Sequence, residues 1–120
     1  SGLVFFSPKE KMIRRGQKIL KKHLERSALE IAGWRKVPTC PEVVGKQALE
    51  SMPAIYQVFV NAPAGWRSHD IERQLFAARR LAFEEEQALT NPDPLYYIVT
   101  LSNLTMVYKG LVQAEHLGDF

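Results

Sequence analysis

The sequence predicts an α+β fold, an antiparallel sheet with two helices packed on one face. Three observations carry this prediction. Two long segments repeat apolar residues at three- and four-residue steps, the period of an amphipathic helix. Four short runs are rich in strand-forming residues. The two classes follow one another as strand, helix, strand, strand, helix, strand, with proline or glycine at most of the joints.

Residues 3–6 form a short apolar strand. Ser7-Pro8-Lys9-Glu10 reads as a capping box, with serine as N-cap, proline at the first helical position and glutamate at the third. The helix then runs to Ser27, with Met12, Ile13, Gly16, Ile19, Leu20 and Leu24 on its apolar face. Residues 29–37 read as a strand. Strict alternation puts Leu29, Ile31, Gly33 and Val37 on one face and Glu30, Trp34 and Lys36 on the other. Pro38 and Pro41 stop it. Residues 42–51 suit a short helix that exits at Met52-Pro53.

Residues 54–60 are the next strand and 61–67 a Pro/Gly loop. Ser68 is placed to cap the second long helix, with Asp70 and Glu72 in its first turn. Its core face is Ile71, Leu75, Ala78 and Ala82, flanked by Phe76 and Phe83. Residues 90–94 end it. Strands at 95–101 and 104–108 follow, joined by a hairpin turn at Ser102-Asn103. The order is that of a ferredoxin-like βαββαβ sandwich with an added C-terminal hairpin strand, residues 1–120 forming a single domain.

Composition narrows the function classes. The chain has 120 residues, 46% hydrophobic and 24% charged, which suits one compact domain and excludes a disordered tail. No apolar run approaches the ~20 residues that span a bilayer, so no membrane partner is expected. One cysteine, Cys40, excludes an internal disulfide, and a cytoplasmic setting is expected. The net charge of +3 comes from Lys9, Lys11, Arg14, Arg15, Lys18, Lys21, Lys22 and Arg26 around the first helix. These lie mostly off the apolar stripe and read as a solvated face. No nucleic-acid motif accompanies them.

The chemistry-bearing residues do not converge. Cys40 sits in the loop Pro38-Thr39-Cys40-Pro41 with no evident base to generate a thiolate. His23, His69 and His116 are far apart and lack paired metal-ligand spacing. Glu84, Glu85 and Glu86, weighed with Asp70 and Glu72 as acid/base candidates, splay around a helix and read as a solvated face, Glu86 lying near Arg79 or Arg80. Residues 61–65 hold one glycine and lack the lysine of a phosphate cradle. Trp34, Trp66, Tyr96, Tyr97 and Tyr108 are accounted for by sheet–helix packing. No catalytic, cofactor-binding or metal residue is assigned.

Several motifs nevertheless recur in one order. They are Gly33-Trp34-Arg35-Lys36-Val37-Pro38, Val44-Gly45, the 53–60 stretch and Asn61-Ala62-Pro63-Ala64-Gly65-Trp66-Arg67. Next come Glu72-Arg73-Gln74-Leu75-Phe76 with Ala78-Arg79-Arg80, the run from Tyr97 to Asn103, and Tyr108-Lys109-Gly110. Colinear over nearly the whole chain, they resemble the class II glutaminase domain of the bacterial glutamate synthase large subunit.

The resemblance implies an internal segment of an N-terminal-nucleophile amidotransferase domain. Such a parent makes two glutamates from glutamine and 2-oxoglutarate. It hydrolyses glutamine through a cysteinyl thioester and passes ammonia to a domain with FMN and an iron–sulfur cluster. Electrons come from NADPH through a small subunit. The family's nucleophile is the first residue of the mature subunit, whereas Ser1 and its surroundings do not match it. The glutamine-clamping arginine and the oxyanion-hole Asn-Gly pair belong to motifs beyond the Tyr108-Lys109-Gly110 strand. Cys40 has no counterpart.

The segment is therefore expected to be structural and inactive by itself, with no cofactor of its own. Its expected partners are the remainder of the large subunit and the small subunit. Trp34, Arg35, Trp66 and Arg67 are the expected interface, and an isolated segment is expected to dimerise through a sheet edge. The rival expectation is a free-standing ferredoxin-like module that binds a small ligand or a protein.

Overall fold

A computed structural model describes residues 1–38 and 52–102. The described elements are β1 (Gly2–Phe6), α1 (Glu10–Arg26), β2 (Glu30–Lys36), β3 (Ala54–Asn61), α2 (Ser68–Gln87) and β4 (Tyr97–Leu101). The four strands form one sheet in the order β2-β3-β1-β4, and every neighbouring pair is antiparallel. The expected helix at 42–51 and strand at 104–108 lie outside the described residues, as do Cys40, Tyr108 and His116.

The core follows from the two periodicities. α1 buries Gly16, Ile19, Leu20, His23 and Leu24, and α2 buries Leu75, Ala78, Ala82 and Glu86, each set on one helical stripe. Both stripes pack against Val4, Phe6, Val58 and Ile98 of the sheet. A second apolar cluster of Leu3, Val37 and Ile55, with Phe5 and Val99 against it, occupies the other face. Successive residues of β1 thus serve opposite clusters. Full burial of a side chain such as Phe6 or Leu20 contributes roughly 1.5–3 kcal/mol each.

Two β-bulges change which side chains share a face. One lies between Ile31 and Gly33 of β2, so Ala32 is the extra residue and Trp34 pairs with Val58. Trp34 therefore joins Ile31 against the helix-side core, where strict alternation had put it opposite. The other lies between Leu3 and Val4, opposite Val99 of β4. It lets Ile98 and Leu101 reach the helix-side core while Val99 serves the other cluster.

The helix ends also differ from expectation. The capping box does not form. Lys9 is the N-cap of α1 with no side-chain bond, because Ser7 turns its N–H and hydroxyl to Asp93. Ser68 is the first residue of α2, and Arg67 precedes it without a side-chain cap. The C-terminus of α1 closes in a Schellman motif. Leu29 N–H donates to Leu24 O at 2.9 Å and Ala28 N–H to Glu25 O at 3.1 Å. Ala28 holds the left-handed position with φ 63°, which favours glycine.

Gly16 is required by a close approach. A Cβ there would lie 2.6 Å from a carbon of the Phe6 ring and 2.8 Å from one of Tyr96, both rings being buried. Gly16→Ala should destabilise the fold in urea unfolding, because overpacking of about 1–3 kcal/mol exceeds the gain of up to ~1 kcal/mol in helix propensity. Ala28→Gly should have the opposite sign and raise stability by about 1 kcal/mol.

Candidate functional site

The described residues hold one buried polar network, one cross-helix cluster and two open surfaces. The network forms where the end of β1, α1, α2 and the 88–96 loop converge. Glu86 of α2 is only 1% exposed. Its partner is Arg15 of α1, which donates through Nη2 to Oε1 and through Nε to Oε2 at 3.3 Å. This corrects the expectation of a solvated Glu86 beside Arg79 or Arg80. Seventy-one residues separate the true partners, and neither has a local pairing signal.

Glu86 Oε1 also accepts the Asp93 N–H at 2.9 Å. Asp93, itself buried, accepts the Ser7 N–H at 2.9 Å, the Ser7 hydroxyl, and the Leu95 N–H at 3.0 Å. The nearby Tyr96 hydroxyl is buried and has no hydrogen-bond partner among the described residues. Its ionisation is pushed well above the usual tyrosine range, by burial first and then by Glu86, Glu85 and Asp93. Both carboxylates have their oxygens engaged by fixed donors. The network can clamp four elements, and it presents no free base to a substrate.

The cross-helix cluster lies further along the same helices. Lys22 Nζ sits 2.6 Å from one Glu85 oxygen and His23 Nε2 sits 2.8 Å from the other. The Lys22 bond leads in holding the Glu85 carboxyl below its usual range; burial opposes it, and His23 assists. His69 lies 3.4 Å from its neighbour Asp70 on the surface. The described residues contain no group of three His, Cys, Asp or Glu able to hold a metal ion.

The expected interface is only partly open. Trp34 meets Tyr56 edge-on at 6.4 Å and Phe6 at 6.1 Å, and Trp66 packs against the same core. Arg35 donates to Gln57 of β3 at 2.9 Å. Of the four residues, Arg67 alone is exposed. The open aromatic surface lies instead between α2 and β4. Phe76 is 60% and Tyr97 50% exposed. With Arg79, Arg80, Phe83 and Ile98 they line a cleft of about 210 Å³. Phe83 meets the Tyr97 ring edge-on at 6.2 Å. Sequence reasoning had Phe76 and Phe83 flanking the core stripe, and Tyr97 sits at the start of a strand. Where the sheet ends decides that Phe76 and Tyr97 face outward, while Phe83 packs partly buried against the core.

The other surface is the basic side of α1 beside β2, the strand at the opposite end of the sheet order. Lys18 and Lys21 line two adjoining clefts there.

Comparison with known proteins places these features in a family context. Residues 1–120 match the family described as class-II glutamine amidotransferases. The chain is 36% identical over 119 residues to ferredoxin-dependent glutamate synthase 1, chloroplastic/mitochondrial, of Arabidopsis thaliana. It is 37% identical over 119 residues to the chloroplastic ferredoxin-dependent glutamate synthase of Spinacia oleracea. It is 33% identical over 120 residues to the glutamate synthase [NADPH] large chain of Bacillus subtilis (strain 168). Each alignment covers 99% of this chain but only 7% of the two plant proteins and 8% of the bacterial one.

The buried clamp has a direct test. Arg15→Met leaves the Glu86 carboxylate buried without its cation and should cost about 3–5 kcal/mol in urea unfolding. Adding Glu86→Gln to Arg15→Met should recover part of that loss, because the amide oxygen still accepts from Asp93 without burying a charge. A double variant no more stable than Arg15→Met alone would contradict this account.

Proposed function

The chain belongs to the class-II glutamine amidotransferases, and from that membership we propose that it is a structural part of the glutaminase domain of a glutamate synthase large subunit. The observation that carries this reading is the extent of the match. Identity of 33–37% to glutamate synthases of plants and a bacterium runs over 99% of the chain. In this reading residues 1–120 are a subregion of an N-terminal-nucleophile domain. The strand order and all-antiparallel pairing support a ferredoxin-like arrangement.

The parent reaction takes glutamine, 2-oxoglutarate and NADPH to two glutamates. Nucleophile, glutamine clamp and oxyanion hole come from elsewhere in the polypeptide, so no catalytic, cofactor-binding or metal residue is assigned to this segment. FMN, the iron–sulfur cluster and the NADPH-linked small subunit belong to the parent. The residues of this chain do not fit those groups. One cysteine cannot ligate an iron–sulfur cluster, and the Asn61–Gly65 turn is no phosphate cradle. The relatives' names divide between ferredoxin and NADPH as donor, and NADPH is what the resemblance to the bacterial large subunit implies.

The remainder of the large subunit is the proposed occupant of the α2–β4 surface. Phe76 and Tyr97 beside Arg79 and Arg80 have the aromatic and arginine composition of interface centres. In isolation the same surface favours self-association. Among the described residues no helix is long and apolar enough to cross a membrane, and the proposed compartment is the cytoplasm.

Two measurements test the proposal together. The 120-residue chain, folded by circular dichroism, should release no ammonia from glutamine. Exchanged for the aligned segment of the Bacillus subtilis large chain, it should leave glutamine-dependent glutamate synthesis intact. Hydrolysis by the isolated chain that disappears in Cys40→Ala would overturn the structural role. So would a folded chimera that has lost glutaminase activity.

A further inference from the structure

α1 carries more positive charge than the whole chain. It holds seven Lys and Arg against two Glu, a surplus of five, whereas the 120 residues sum to +3. The rest of the chain is therefore net acidic, yet it neutralises little of the helix. Arg15 is taken by Glu86, Lys22 by Glu85 and Arg14 by Glu10. Among the described residues Lys18, Lys21 and Arg26 enter no ion pair, and all three are exposed.

These three line two adjoining clefts. A cleft of about 350 Å³ between α1 and β2 is bounded by Gln17, Lys18, Lys21, Ile31, Gly33 and Trp34. It shares Lys18 and Lys21 with a second, about 470 Å³, bounded also by Lys22, Glu25 and Arg26. The result is a trough with cations along it and an apolar wall at one end. Gly33 keeps that end open, since no atom lies within 4 Å of where its Cβ would stand.

We propose that this trough docks an acidic segment of a partner polypeptide, its carboxylates over Lys18, Lys21 and Arg26 and an apolar side chain against Ile31 and Trp34. The trough already shows the chemistry at its rim, where Lys22 holds the Glu85 carboxylate at 2.6 Å. The Trp34 ring is engaged with Phe6 and Tyr56, so it is no free platform for stacked bases. Charge complementarity calls for an anionic partner, and the lack of a free stacking ring favours a polypeptide over a nucleic acid. The trough lies at the sheet edge opposite the α2–β4 surface, and the inference does not depend on the identity of the parent enzyme.

The test is fluorescence anisotropy of a labelled octaglutamate peptide ending in phenylalanine, titrated with the 120-residue chain. Saturable binding is expected, weakening as salt is raised from about 50 to about 300 mM. Lys18→Glu with Lys21→Glu should weaken it about tenfold, while Lys9→Glu with Lys11→Glu, which changes net charge equally outside the trough, should not. In a Trp66→Phe background the peptide should shift Trp34 emission, and the trough variant should abolish that shift with its circular dichroism unchanged. The proposal is overturned by absent saturation, by equal weakening in both charge variants, or by tighter binding of a single-stranded DNA dodecamer at the same salt.

Discussion

The arrangement depends on a buried carboxylate that must have its cation. Glu86 is inside the protein, and an unpaired charge there is not tolerated. Arg15 supplies the opposite charge from the other helix, which fixes α1 against α2 in rotation as well as distance. The second duty of Glu86 is to hold the Asp93 N–H, and Asp93 in turn grips Ser7 at the end of β1 and Leu95 on the way into β4. One chain of hydrogen bonds thus links both helices to the two strands beside which they pack. The apolar core supplies most of the stabilising area, while this network limits which packing is allowed.

The sheet divides the molecule's surfaces. β1 and β3 are its inner strands, and the apolar clusters on both faces draw on them. The outer strands β2 and β4 each carry a bulge against their inner neighbour. At the β4 edge the exposed side chains are aromatic with two arginines. At the β2 edge they are lysines with one half-buried tryptophan. Two surfaces of such different chemistry suit two different contacts, one apolar and one electrostatic.

Nothing among the described residues combines a nucleophile, a free base and a cleft. The strong polar groups are consumed in holding elements together. In the proposed role the segment would contribute shape and contact surface to a larger enzyme, met at its open aromatic patch. Family membership places the chain among glutamine amidotransferases. The proposed chemistry belongs to residues beyond those described.

Much was legible in the sequence because it is written in local spacing. Three- and four-residue apolar steps identified both helices, and β-branched and aromatic runs identified four strands, their ends falling within a residue or two of the observed ones. Colinear motifs identified the family. Tertiary structure decided what local rules cannot. Ser7 forsook the helix cap for Asp93, eighty-six residues away. Glu86 left the solvated face for Arg15. Trp34 changed faces because a single bulged residue inverts every side chain beyond it. A sequence window reports partners within one helical turn or along one strand, whereas these partners meet only when separate elements pack.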